Sequence, residues 1–327
     1  MNPTYRLLLL AFLLTACSTP RNAPLSAPPY PWFPFTWYRT TIAGKPFDKV
    51  AIIVPVKIND LPGNLVTQFD LGSGTTFLYE DAIKNYFASR AQLYAQVDTT
   101  QRGTTDAGYV HYATHGLPFA FGGAVIPFPR LMTRQGEPVP RDSLRSPSPK
   151  PVGTIGADFL DRKVLVIDYP RRRMCVLDSV DAYWRARTTF VAGRVKDNRF
   201  SIPITVNHRT YWALFDTGAS LFPLSTDYAT WQNLVLPGAT VDTLKVNSWG
   251  EQVPFYGAPM QHDAYLGNVR LPKSKAWFTR SQRHLDFNKS ERVDALTGNA
   301  FFLENVVVLD FAHARFGVVN QHVASSK

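Results

Sequence analysis

The 327-residue sequence has only two cysteines, and they do not read as a pair. Cys17 closes an apolar leader, and Cys175 sits inside the strand pattern Met174-Cys175-Val176-Leu177, where a small buried hydrophobe is expected. That argues against a disulfide-stapled scaffold and a cysteine-built zinc site. The seven histidines are dispersed, and no His-Glu-x-x-His, Gly-x-Ser-x-Gly or glycine-rich phosphate loop occurs. No metal and no cofactor are therefore expected. The one long apolar run, Leu7 to Leu14, is too short to span a bilayer as a helix. A net charge of +10 raises nucleic acid as a partner, but the basic residues are scattered. Their one run, Arg171-Arg172-Arg173, lies between two apolar strands, with no basic tail or finger spacing beside it. The charge reads as a solvated surface suited to an anionic membrane or polymer, with no nucleic acid bound.

What is present is an envelope leader followed by a β-rich body. Residues 1–17 combine Arg6, an apolar core and small residues, the secretory pattern. Leu14-Thr15-Ala16-Cys17 resembles the lipobox of bacterial lipoproteins, which implies a lipid on Cys17 and anchorage without a transmembrane helix. The alternative is an ordinary signal peptide that contains a cysteine. In enterobacterial lipoproteins a serine after the cysteine, here Ser18, favours the outer membrane, so a cell-envelope location is expected, on the outer membrane or a periplasmic face. Residues 18–47 are proline-rich and read as a stiff tether whose aromatic end, Tyr30 to Tyr38, packs onto the body. Twenty-five prolines, twenty glycines and few helical periods predict an all-β body with a few short helices. A short helix is predicted over Glu80 to Ala95, a hairpin over Tyr109 to Phe121, and a long polar loop over Arg130 to Pro151.

The body is written twice. Phe69-Asp70-Leu71-Gly72-Ser73-Gly74 has a counterpart in Phe215-Asp216-Thr217-Gly218-Ala219-Ser220, each between two apolar strands. Ile155-Gly156 and Thr297-Gly298 follow at similar distances. In each half the glycine stands 12 residues before an aspartate, Asp168 or Asp310, that closes a strand and precedes an arginine-bearing turn. A single Asp-Thr-Gly is an everyday hairpin turn. Matching contexts and spacings make it one unit used in tandem. The expected lobes are residues 48–190 and 191–327, each with a carboxylate at a turn apex. Asp168 and Asp310 read as structural.

On these residues the chain, from about 50 to 320, resembles the aspartic peptidases, the pepsin and retropepsin group. The resemblance implies a two-lobed pepsin-like acid protease fold of duplicated β-barrel-like lobes, a β-hairpin flap, and Asp70 and Asp216 meeting at the lobe interface. Two carboxylates about 3 Å apart repel by about 5 kcal/mol at an effective dielectric of about 20. That is about four pKa units, so the pair keeps one proton. One member then draws a proton from a water that attacks the scissile carbonyl, and the other donates to the carbonyl oxygen. The implied supports are Gly72 and Gly218, which permit the tight turns, Ser73 beside Asp70, and Thr217, whose hydroxyl would cross to the opposite loop.

The departure is Leu71, where the family has Thr or Ser. Leucine has no hydroxyl, so half of the reciprocal lock is expected to be missing while the fold survives. No residue pattern fixes a flap tip, and Tyr109, Tyr112 and His115 read as core or surface groups. The expected function is aspartic endopeptidase of the cell envelope, acting on a peptide or protein substrate as a lipid-anchored monomer. The alternative is a catalytically inactive peptide- or glycan-binding surface lipoprotein of the same fold.

Overall fold

The computed structural model describes residues 26–105 and 107–320; the leader and Cys17 lie outside the described residues. The chain is all-β with a few short helices, as expected. The first lobe holds β1 (Lys45–Pro55), β2 (Asn64–Phe69), β3 (Phe77–Tyr79), β4 (Val97–Thr104), β5 (Val110–Thr114), β6 (Arg130–Met132) and β7 (Pro149–Ile155). After β8 (Val164–Asp168) and β9 (Arg173–Leu177) the second lobe brings β10 (Arg199–Val206), β11 (Arg209–Phe215), β12 (Leu224–Thr226) and β13 (Asp242–Ser248). It continues with β14 (Glu251–Pro259), β15 (Lys275–Thr279) and β16 (Ala295–Thr297), then β17 (Val306–Asp310) and β18 (Arg315–Val319).

The duplication is carried by topology. The first sheet runs β1-β2-β7-β3-β6-β5-β4, and the second β10-β11-β16-β12-β15-β14-β13, the same order. The strand directions also match: β2 is parallel to β7 as β11 is to β16, and β3 is parallel to β6 as β12 is to β15. Parallel pairs inside mainly antiparallel sheets need crossovers, so two identical sets imply one ancestral wiring. A six-stranded antiparallel sheet joins the lobes through β9-β8-β17-β18. At its centre Val166 pairs with Val308, which are also repeat-equivalent residues. The internal two-fold axis therefore passes between them.

This joint is buried on both faces. Leu165, Ile167, Val307 and Leu309 point into the main core. Val164, Val166, Cys175 and Val308 point the other way, under Trp184 with Tyr30 and Trp32 packed alongside. Period-two side-chain alternation places them so. Burial pushes the Cys175 thiol up to about 12, which makes it the inert hydrophobe expected. Asp168 and Asp310 are structural: Asp168 accepts from Arg171 and Arg173, and Asp310 from His313 and Arg315.

Several local expectations need correction. The aromatic end of the tether packs onto the body as expected, but the tether does not run to residue 47: Phe33–Pro34 pairs with β9, and Thr36–Ile42 pairs with β1. The reason is the aromatic run, because Phe33 and Phe35 are core residues. The single helix over Glu80 to Ala95 is broken into Glu80–Ile83, a 3-10 turn and Arg90–Tyr94. Ser89 restarts it by accepting from the Gln92 amide, while the Gln92 side chain accepts from Ala88, a variant of the capping box. The loop over Arg130 to Pro151 contains two strands, β6 and the start of β7. The hairpin over Tyr109 to Phe121 is two different pairings. β5 pairs with the upstream β4, and Phe119–Phe121 pairs with Ala124–Ile126.

Candidate active site

The two aspartate turns follow β2 and β11 and are built alike. The Asp70 amide donates to the Ile155 carbonyl and the Asp216 amide to that of Thr297, both at 2.9 Å, which tucks each turn against the glycine segment of its own lobe. Asp70 Oδ1 accepts from the amides of Gly72 (2.9 Å) and Ser73 (3.2 Å). Asp216 Oδ1 accepts from those of Gly218 (2.8 Å) and Ala219 (3.2 Å). Each inner oxygen is thus fixed by two backbone donors, and the outer oxygen of Asp70 accepts from the Gln68 side-chain amide at 3.4 Å.

The turns meet at the two-fold axis. Asp70 and Asp216 stand next to each other, close enough for each carboxyl to act on the other's ionisation. A Cβ on Gly72 would lie 2.5 Å from the Asp216 carboxyl carbon, and one on Gly218 would lie 2.6 Å from that of Asp70. Each carboxyl therefore sits over the glycine of the opposite turn, a position any side chain there would occupy. Close approach, more than a special φ, is the reason for glycine. Behind them Gly156 and Gly298 play the analogous part: a Cβ on either would strike the backbone of Thr75 or Ala219.

The lock between the turns is one-sided, as the sequence implied. The Thr217 hydroxyl accepts from the Leu71 amide at 2.9 Å and donates to the Phe69 carbonyl at 2.8 Å. Leu71 returns nothing and is fully buried in the main core. Burying leucine contributes about 1.5–3 kcal/mol, which outweighs about 1 kcal/mol net for one absent hydrogen bond. The turn survives the substitution for that reason. Ser73 differs from expectation: its backbone amide serves Asp70, but its hydroxyl donates to the Thr75 carbonyl at 2.6 Å.

Electrostatically the pair is one unit. Burial raises both carboxyls above the usual carboxylate range. The Asp216 charge raises Asp70 further, while the neighbouring Asp70 carboxyl and the backbone amides, with the Arg199 charge, restrain Asp216. Both residues nonetheless keep partial access to solvent. One proton shared by the pair is the state this environment favours.

Sequence reasoning missed the residues around this core. Tyr169, just after β8, donates to Asn299 at 2.5 Å, and Asn299 donates to the Thr217 carbonyl at 2.9 Å. Asn299 follows Gly298, so the signal was its place beside that glycine. On the other side the hairpin β4–β5 and its repeat-equivalent β13–β14 meet tip to tip: the Tyr109 hydroxyl donates to the Trp249 carbonyl at 2.8 Å. Elements that touch their own counterparts lie on the two-fold axis. The six-stranded sheet, reached through Asn299 and Tyr169, occupies one side of the dyad, so the hairpin tips close the other. Tyr109 is thus a bridging residue and no ordinary surface aromatic. Tyr112 is half-buried against the core and His115 is exposed, in line with the expectation for each. Among the described residues no cluster of His, Cys, Asp or Glu suits a metal ion.

No family model and no curated protein matches the chain. Among solved structures, basic 7S globulin from soybean is similar over 84% of this chain and 94% of that chain, with 11% identity and a TM-score of 0.43.

Proposed function

We propose that this chain is an aspartic endopeptidase, retropepsin- and pepsin-like, held at the cell envelope by a lipid on Cys17. The observation that carries the reading is the pair Asp70–Asp216. Two carboxyls on equivalent turns face each other across the axis, each over the glycine of the opposite turn, with its inner oxygen held by two amides and its pKa raised. Such a pair keeps one proton near neutrality. The ionised member takes a proton from a water and the protonated member donates to the scissile carbonyl, so charge developing on the tetrahedral carbon's oxygen is met by a donor already in place. An extended peptide running between the hairpin tips and the dyad is the substrate geometry that fits.

Turnover of a peptide library between about pH 4 and 8 tests this. Asp70→Asn and Asp216→Asn should each lower kcat by at least about a thousandfold with the fold retained, because an amide can neither accept the water's proton nor share one. Full activity in either variant overturns the reading. Metabolic labelling with a fatty acid, lost on Cys17→Ser, tests the anchor. The second reading, an inactive peptide- or glycan-binding surface lipoprotein, is favoured by Leu71, which removes half of the lock. Intact peptide bound without turnover would support it.

A further inference from the structure

The missing hydroxyl at position 71 leaves the Asp70 turn with one lock where a symmetric pair has two, yet the turn is tied to the other lobe at three further points. Strand Arg194–Lys196 turns into β10 through Asp197-Asn198, both left-handed at φ 47° and 65°, a tight two-residue hairpin turn that asparagine and aspartate tolerate. The turn is seated under the first lobe. Arg199 Nε donates to the Gly72 carbonyl at 2.8 Å, and Asn198 Nδ2 donates to the Gly74 carbonyl at 3.1 Å. The Asp197 carbonyl lies so close over Gly74 that a Cβ there would come within 2.5 Å of it.

Arg199 is itself fixed. Its Nη1 donates to Glu291 Oε1 at 3.0 Å, and Glu291 ends the helix Gln282–Glu291 with its side chain 5% exposed. The Phe287 ring of that helix lies under the guanidinium. The internal symmetry shows that this is an addition. Ile52 pairs with Phe69 in β1–β2, and Phe200 stands in the same register to Phe215 in β10–β11. The residue before each is Ala51 in the first lobe and Arg199 in the second, and a methyl group offers no donor.

We infer that Arg199 is a positioning residue that substitutes for the absent hydroxyl at position 71, clamping the Asp70 turn from the second lobe and holding a positive charge beside the dyad. The inference rests on the aspartic-dyad reading for its effect on turnover, but the clamp itself does not. Its guanidinium donates where only backbone oxygen is available, so lysine at this position keeps the charge and loses the planar fork that serves Gly72 and Glu291 together. The charge acts with a definite sign. Facing the dyad are Arg199, Tyr79 (whose hydroxyl contacts Thr154 at 2.5 Å), Gln68 at 3.4 Å from Asp70, and the four turn amides. Tyr79 is pushed up by burial and stays neutral. Removing the arginine charge favours the protonated form of the pair, so the acid limb of activity moves to higher pH.

The test is a four-variant cycle in the full chain: wild type, Leu71→Thr, Arg199→Met and the double variant, with Arg199→Lys as a folded alternative. Arg199→Met should lower kcat at least tenfold with KM within about twofold and shift the acid limb upward; Arg199→Lys should lose rate without that shift. Leu71→Thr alone should change kcat less than threefold, and in the Arg199→Met background it should recover at least threefold. Carbon-13 titration of the labelled aspartate carboxyls reads the same displacement without turnover. If the wild type cleaves nothing but Arg199→Met still displaces the dyad titration upward, the peptidase reading fails and the clamp stands. Wild-type titration and kcat in Arg199→Met, or additive effects in the double variant, overturn the inference.

Discussion

Leucine at position 71 shows how a motif can lose a functional group and keep its geometry. The turn backbone is set by Gly72, by the two amides on Asp70 Oδ1 and by the Thr217 hydroxyl, none of which needs the side chain at 71. That side chain is buried in the main core, where a shorter polar group leaves a cavity. Leu71→Thr is therefore expected to lower stability by about 1–2 kcal/mol, the cavity cost outweighing a regained hydrogen bond; urea denaturation measures it. Gly218→Ala acts oppositely. Its methyl would fall 2.6 Å from the Asp70 carboxyl carbon, so the dyad must part. Activity should drop at least a hundredfold while circular dichroism stays that of the parent. The aspartates and glycines were legible from repetition alone. Arg199, Asn198 and Asn299 were not, because a polar residue that grips a distant carbonyl carries no local pattern.

At the scale of elements, each of the hairpins β4–β5 and β13–β14 has a histidine against it: His111, half-buried on β5 itself, and His284, buried on the helix Gln282–Glu291 and packed against the tip of β13–β14. His111 on β5 accepts from Arg130 at 2.6 Å and is pushed down to about 4 by burial and then by that charge. His284 stacks on Trp249 and contacts the Ser248 hydroxyl at 3.1 Å. Burial pushes it also down to about 4, with Arg283 adding to the fall and Glu251 opposing it. An opened hairpin restores the ordinary value of 6.5, so between pH 6.5 and 4 the open form takes up protons that the closed form refuses. The closed state keeps its full stability above about pH 6.5 and loses it as pH falls through about 4. Hydrogen exchange over residues 97–114 and 242–259, corrected for intrinsic rates, should be faster at pH 4.5 than at 7. His284→Gln should blunt the change in the second segment. An acid-resistant pattern would contradict this account. The strand β4 escaped sequence reading because Val97-Asp98-Thr99-Thr100-Gln101-Arg102-Gly103-Thr104 is polar and mostly exposed, an edge with no apolar alternation to announce it.

For the molecule as a whole, the six-stranded sheet makes the lobes interdependent. Five residue pairs join β8 to β17, and both faces of that seam are buried. Splitting the lobes would bare two central strands, so calorimetry should record one cooperative transition for both lobes. Val166→Ala and Val308→Ala, at the axis, should each lower stability by about 2 kcal/mol and shift that single transition without dividing it. Two resolved transitions would show the seam to be weak. The duplication and the all-β class were legible because spacing and strand pattern repeat, and the docking of the aromatic residues was legible from their density; that this stretch also forms strands was not, since its prolines mask the strand pattern. The bond between Tyr109 and Trp249 bears on traffic. While it holds, a chain cannot drop sideways onto the aspartates and must either pass end-first beneath the arch or wait for the bond to break. Under the peptidase reading, loose tails and unfolded segments would gain entry on those terms, whereas compact proteins would be left alone.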